Sequence, residues 1–316
     1  MRSAQLSAMP PSTDCPYCGG ATRPHVSARD INRRISGIHY LLRRCTRCGL
    51  FFVANPPDDI GKYYHDPTSI VPANRHALDE VLADHRHKIE ILTRYCKGGE
   101  LLEIGPSIGA FCVLAQQAAF RVSAIEASPA CTRFLSEELG VRSIESTDPA
   151  AVMADEDRSY DAICLWHSLE HLPRPWEVIE RAARRLNPSG VLVVAVPNPL
   201  SRQARIMGAR WPHWDLPRHL FEFPPDWLRA VGTACGLEWV WTTTRDQGSL
   251  RVHASSWGLV AHSYLPSRWR RPFVNRIAPG LARRRLWWPP TEGDGAAYTM
   301  VLRRPVASCG PDGGRS

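Results

Sequence analysis

The feature that most constrains this chain is a change of hydrophobic period that repeats between residues 98 and 243. Residues 101–104, 122–125, 161–166 and 191–196 are apolar runs of strand length. Between them, residues 110–119, 129–139 and 175–186 carry apolar positions at helical spacing. Ser128 caps the second of these helices and Gly140 ends it. An earlier helix over 73–96 presents Leu78, Val81, Leu82, Ile89 and Leu92, and stops at Lys97-Gly98-Gly99. Residues 141–144 read as a short strand, 226–235 as a helix ended by Gly236, and 237–243 as a strand. Such alternation covers a parallel sheet with helices on both faces, so the expected fold class is α/β. A length of 316 residues accommodates about two domains. No run approaches the roughly 18 apolar residues of a membrane span, and there is no internal repeat.

The ten cysteines divide into four and six. Cys15-Pro-Tyr-Cys18 and Cys45-Thr-Arg-Cys48 are two C-x-x-C pairs with 26 residues between them, each followed by a glycine. Two short knuckles of this kind supply the four soft ligands of a tetrahedral Zn2+. A four-thiolate site is closed, so the expected zinc is structural; the competing readings are a redox pair or a disulfide pair. Residues 38–44 and 50–54 read as strands around the second knuckle. Cys96, Cys112, Cys131, Cys164, Cys235 and Cys309 are scattered and read as core fillers or inert thiols. Residues 1–14 are polar and lack the apolar core of a signal peptide. With thiolate ligands, this gives an expected cytoplasmic location.

The net charge of +8 is local. Residues 245–316 hold twelve arginines against four acids, and the remainder of the chain is balanced. Within them, residues 257–290 carry seven Arg, four Trp and no acid. That composition suits an anionic substrate, a peripheral contact with an anionic membrane, or nucleic acid. The competing reading is a solvated face in an Arg-biased chain, because Lys62, Lys88 and Lys97 are the only lysines. Pro266, Pro272, Pro279 and Pro289 argue against one long surface helix.

Residues 101–111, Leu-Leu-Glu-Ile-Gly-Pro-Ser-Ile-Gly-Ala-Phe, run from strand through tight turn to helix. The following strand ends in Glu126, 21 residues after Gly105. An acid there accepts hydrogen bonds from both hydroxyls of a ribose. Here the chain resembles the class I S-adenosylmethionine-dependent methyltransferases, over roughly residues 98–245. Glu103-Ile-Gly105-Pro-Ser107-Ile-Gly109 is similar to their first motif, E-x-G-x-G-x-G, with Ser107 in place of the middle glycine. Residues 160–172 resemble their fourth-strand motif, and Asn187-Pro188-Ser189-Gly190 through Asn198 the fifth. The cysteine ribbon and Asp215-Leu-Pro-Arg218-His219-Leu resemble a bacterial zinc-ribbon subgroup, whose relatives methylate small molecules, sugars or quinone precursors.

The resemblance implies a Rossmann-like seven-stranded sheet with an N-terminal zinc ribbon and an insertion between the last two strands. The seventh strand, at 297–302, is expected to lie antiparallel. It also implies S-adenosylmethionine as cofactor, held by Glu103, Gly105, Ser107, Gly109, Glu126, Trp166 and His167. Glu103 would lie near the methionine amino group. The expected organisation is a tail over 1–12, a ribbon over 13–58 and a helical linker over 59–97. The methyltransferase domain follows over 98–245 plus 296–304, with an Arg/Trp substrate cap at 246–295 and a tail at 305–316.

Methyl transfer from a sulfonium is an in-line displacement, for which a protein mainly supplies alignment. An oxygen acceptor must also lose a proton, which suits a histidine with a pKa near neutrality. His167, ending the fourth strand, and His219, beyond the fifth, are the candidate bases. The absence of any dedicated base is the third reading. Arg218 is a candidate for an anionic group on the substrate, with Asp215 and His219 beside it. Glu170 and His171 read as caps of the loop that follows. His167-Ser-Leu-Glu170-His171 spells H-x-x-E-H, but Leu172-Pro173-Arg174-Pro175 opposes the helix an inverted zincin needs. Quinone-pathway methyltransferases carry a similar E-x-x-E-H string that can hold a divalent metal, so the resemblance leaves a second metal open.

The leading expectation is O-methylation of a sugar, polyketide or lipid-like acceptor, anionic or membrane-associated. The first alternative is a zinc-ribbon rRNA or tRNA methyltransferase. Asn198-Pro199 departs from the signature of exocyclic-amine methylases, which makes nucleic acid the less favoured partner. The second alternative is a docking protein with a silent methyltransferase domain.

Overall fold

The computed structural model describes residues 13–32, 34–64, 71–72, 74–264 and 290–306, with backbone alone for 261–264. The tail expected over 1–12, most of that over 305–316, and residues 265–289 of the Arg/Trp segment lie outside them.

The strands β4 (Gly99–Ile104), β5 (Phe120–Glu126), β6 (Arg142–Glu145), β7 (Tyr160–Trp166) and β8 (Leu186–Pro197) pair in parallel. With β10 (Glu238–Thr243) and β11 (Ala297–Arg303) they form one seven-stranded sheet. Its order is β10-β11-β8-β7-β4-β5-β6. The last strand in sequence, β11, enters between β8 and β10 and runs antiparallel to both. The expected seven-stranded sheet and the insertion between its last two strands are therefore present.

Alternation within the strands explains why the central strands β7 and β8 carry long apolar runs. Val191, Val193 and Ala195 of β8 join one buried cluster, while Leu192, Val194 and Val196 join another. A two-residue repeat sends neighbours to opposite faces, and both faces are covered. On the first face lie α1 (Asp79–Tyr95), α2 (Ala110–Gln117) and α3 (Pro129–Glu137). On the second lie α4 (Pro149–Asp155), α5 (Pro175–Arg185) and α7 (Pro225–Ala234). Between β8 and α7 the chain forms α6 (Arg202–Met207) and two short 3-10 turns.

The N-terminal ribbon is a second, antiparallel sheet: β1 (Thr22–Arg29), β2 (His39–Cys45) and β3 (Phe51–Val53). Its fourth strand, β9 (Phe221–Glu222), comes from the chain beyond β8. Phe52 opposes Phe221 in register, and Phe51 opposes Glu222. Consecutive residues of β3 again face opposite ways. Phe52 packs into the cluster that holds α5 and α7, whereas Phe51 joins Trp211, Trp214, Tyr40 and Leu42 in a third cluster. The ribbon is thus wedged between the large sheet and the 211–216 segment.

The first piece of the insertion is α8 (Gln247–Tyr264). Among the bonds that anchor it, Gln203 Nε2 donates to the His253 carbonyl at 2.7 Å, His213 Nε2 lies 2.8 Å from Ser256 Oγ, and Arg251 donates to the Asp84 carbonyl at 2.6 Å. No helix among the described residues is long and apolar enough to cross a membrane.

Candidate active site

The parallel strands end at one edge, where ligands of such sheets bind. Four groups of side chains converge there.

The first surrounds the turn after β4. Gly105, Ser107 and Gly109 all hold positive φ, at 75°, 54° and 77°. A Cβ on Gly105 would lie 2.7 Å from Ser168 Cβ, and one on Gly109 would lie 2.5 Å from Leu135 Cδ2. Glycine is therefore required at both positions on grounds of space and conformation. Ser107 takes the left-handed conformation without that freedom, and its backbone N–H then reaches Glu126 Oε2 at 2.9 Å. The other oxygen, Oε1, accepts from Ser128 N at 2.9 Å. A carboxylate has about four lone-pair positions. Two remain on Glu126, one per oxygen, which fits the two hydroxyls of a ribose.

The second group lies under the ends of β4 and β7. Glu103 is 2% exposed and its Oε2 accepts from Cys112 Sγ at 3.0 Å. Burial pushes its carboxyl up to about 7, against the opposing pull of Lys88. Lys88 Nζ, from α1, stands 5.5 Å from the centre of the Trp166 ring. Phe111 meets the same ring edge-on at 5.4 Å.

The third group begins where β7 ends. His167 has φ 57°, and its N–H donates to the Ala195 carbonyl at 2.8 Å. The imidazole is 36% exposed, and its Nδ1 lies 3.5 Å from Glu170 Oε1. Glu170 is fully buried. Burial is the largest single influence and would raise its pKa, but the contact with His167 together with the neighbouring His219 and His171 leaves it below the ordinary value. Residues Leu169–His171 form a single 3-10 turn, so the H-x-x-E-H string is not on an α-helix.

The fourth group is the 211–222 segment. Asp215 accepts from Asn32 Nδ2 at 2.7 Å and pairs with the Arg218 guanidinium. Burial would raise its pKa, yet His219 and Arg218 hold it down near 2. His219 is buried, with Nδ1 2.9 Å from the His213 carbonyl and 3.0 Å from Glu222 Oε1. Its Nε2 is 3.6 Å from Asp215 Oδ2. Burial drags its pKa down to about 4. His171 joins this group to the third: Nδ1 lies 3.0 Å from the Arg218 carbonyl, and its ring meets His219 at 4.8 Å. Tyr64 OH, 3.3 Å from His171 Nδ1, also donates to that carbonyl at 3.1 Å.

The structure thus gathers the residues expected at the cofactor turn. It leaves His167 half open and sets His219 behind it, with contacts at both ring nitrogens. Arg218 is spent on Asp215 rather than directed outward. Sequence reading missed Lys88, Tyr64, Asn32 and Glu222. For Lys88 a signal existed, since a lysine is rare in this Arg-biased chain. For Asn32 and Tyr64 none did, because their partners lie far along the sequence.

Two donor sets fit a metal. The thiols of Cys15, Cys18, Cys45 and Cys48 lie within 4.8 Å of one another. The N–H groups of Arg47 and Cys48 approach Cys45 Sγ at 3.4 Å each, as expected of a thiolate knuckle. Cys15 is pulled down to about 5, chiefly by the hydrogen bond from Cys48. Glu170, His171 and His219 form the second set, also within 4.8 Å.

The family described as a methyltransferase domain matches residues 74–242. The chain belongs to the S-adenosylmethionine-dependent methyltransferases. Solved structures of similar fold include a sarcosine dimethylglycine methyltransferase, itself assigned provisionally, from Galdieria sulphuraria. It is 18% identical, with 72% of this chain and 85% of that one covered and a TM-score of 0.45. A SAM-dependent methyltransferase from Archaeoglobus fulgidus is 17% identical, covering 72% and 94%, with a TM-score of 0.46. A geranyl diphosphate methyltransferase in complex with GPP and sinefungin is 18% identical, covering 69% and 77%, with a TM-score of 0.44. No curated protein matches the chain.

Proposed function

We propose that this methyltransferase acts on an oxygen of a small-molecule acceptor, a sugar, polyketide or lipid-like metabolite. The observation that carries the reading is His167, half open at the strand edge with Glu170 buried behind its Nδ1. When bound, S-adenosylmethionine supplies an activated methyl group on a sulfonium. Glu126 accepts the two ribose hydroxyls on its free lone pairs. Glu103 takes the methionine ammonium. The Gly105–Gly109 turn brings backbone close to the ligand without intervening side chains. Trp166 and Phe111 wall the site from water.

The acceptor proton goes to His167 Nε2. Glu170, 3.5 Å from the opposite nitrogen, stabilises by its charge the imidazolium that forms. Asp215, Arg218 and His219 shape the acceptor wall rather than meet the reacting atoms. The four thiolates hold a structural zinc, closed to substrate.

The test is isotope-labelled methyl transfer to candidate acceptors, with His167→Gln beside the native enzyme. The variant should retain affinity for S-adenosylhomocysteine and lose roughly a hundredfold to ten-thousandfold in turnover. Unchanged turnover would remove the base and point to an acceptor that needs none.

A second reading has its own observation. Neither oxygen of the buried Glu170 has a hydrogen-bond partner among the described residues. The Nδ1 atoms of His171 and His219 sit on carbonyls, which turns both Nε2 lone pairs to other partners; His219 Nε2 faces Asp215 Oδ2 at 3.6 Å, a contact that a cation would displace. Elemental analysis separates the two: one zinc per chain supports the acid–base reading, and a second equivalent lost in Glu170→Gln supports the cation.

A further inference from the structure

Lys88 is a half-buried lysine in an unusual setting. It projects from α1 toward the ligand edge of the sheet, above the face of Trp166. Among the described residues the carboxylate that acts on it is Glu103; its other ionisable neighbours are the thiols of Cys112 and Cys164. Yet among the described residues no ion pair within 4.0 Å joins Lys88 to Glu103. Glu103 is satisfied on one oxygen only, by Cys112. Two opposite charges thus face one space without closing on each other.

Such an arrangement is costly in an ordinary core. A buried pair offsets its desolvation only when its geometry is tight and its remaining donors are satisfied. Here the ammonium keeps the Trp166 face and little else. Burial draws Lys88 below its ordinary value, and Glu103 is the counterweight. A group that carries both signs a few bonds apart would complement these two charges. An α-amino acid is such a group.

We propose that Lys88 is the receptor for the α-carboxylate of the cofactor's methionine moiety, forming with Glu103 a clamp for its zwitterion. The proposal rests on the reading that S-adenosylmethionine binds at this edge with its ammonium on Glu103. One unclosed internal pair is then replaced by two closed ones. Recognition of the amino-acid end becomes a property of α1, an element outside the nucleotide-binding turn. The clamp also distinguishes the cofactor and its product from nucleosides that share the adenosine and sulfur but lack the amino acid.

Calorimetry on the full chain tests this without an acceptor. The probes are S-adenosylhomocysteine and 5′-methylthioadenosine, which differ by the amino-acid arm. Lys88→Met should weaken S-adenosylhomocysteine roughly tenfold to a hundredfold, the value of a charge-assisted hydrogen bond. Its affinity for methylthioadenosine should stay within about twofold of the native value. Lys88→Arg should recover part of the loss. Glu126→Ala, at the ribose, should weaken both ligands alike. Equal weakening of both ligands by Lys88→Met would assign Lys88 a structural role and overturn the proposal, as would no weakening of either. Failure of the native chain to bind either probe would instead overturn the cofactor reading itself.

Discussion

Glu103 places an acid where burial favours its neutral form, and a cofactor ammonium favours the charged one. Its folded-state value near 7 exceeds the ordinary carboxylate value of 4.5. The folded chain therefore binds more protons than the unfolded chain between those two values. The stabilisation is fully present below about pH 4.5 and is lost as pH rises through about 7. Its ceiling is roughly 3 kcal/mol. Denaturant titrations of the ligand-free protein at pH 5 and pH 8 should show the native chain losing stability, with the loss much reduced in Glu103→Gln. An equal loss in both would place the effect elsewhere. Ligand affinity runs the other way. S-adenosylhomocysteine should bind more weakly as pH falls below about 7, by up to tenfold per unit, because the ammonium needs the ionised acid. Residues of the turn were legible because their partners are near in sequence or fixed by strand spacing, as with Ser107 and Glu126. Lys88 was marked only by the rarity of lysine; its place in the site was not legible, because its partners Glu103 and Trp166 reach it only after α1 packs on the sheet.

At the scale of elements, the β/α alternation was readable because covered strands are apolar throughout and helices keep a longer period. Two strands escaped. β1 is mostly exposed, with no alternation to read, and β9 is two residues long, below any periodic signal. Yet β9 couples the halves of the molecule. The knuckle from Cys45 to Cys48 turns β2 into β3, β3 pairs with β9, and β9 follows His219 directly. Asn32 adds bonds to Asp215 and to the Pro212 carbonyl, each at 2.7 Å. A metal in the knuckle therefore stiffens the acceptor wall, while the cofactor turn lies on the far strands β4 and β5. Chelation, or Cys48→Ser, should raise hydrogen exchange across residues 211–222 at least as much as in the ribbon. Exchange at residues 101–109 and affinity for S-adenosylhomocysteine should change little. Protection at 211–222 that survives zinc loss would show that the ribbon and the acceptor wall are separable. The same pairing gives β3 neighbours inside the chain on both faces, so it is not a free docking surface.

At the scale of the whole molecule, the charge is set apart from the chemistry. The described part of the site balances itself: Asp215 with Arg218, Glu103 with Lys88, Glu170 with His167. Arg218, the one guanidinium expected to meet an anionic acceptor, is bound to Asp215. Attraction for such an acceptor must then come from outside the catalytic edge, and the excess arginines of residues 245–316 are the available source. The insertion that carries them starts with α8, which is fastened to the acceptor segment through His213 and Gln203. An attraction that works by field rather than by contact weakens with salt. Replacing Arg283, Arg284 and Arg285 together by Gln should raise KM for an anionic acceptor severalfold while leaving kcat and S-adenosylhomocysteine affinity unchanged. Raised ionic strength should reproduce that increase in the native enzyme and have little further effect on the variant. An unchanged KM with the variant would make the arginines a solvated surface.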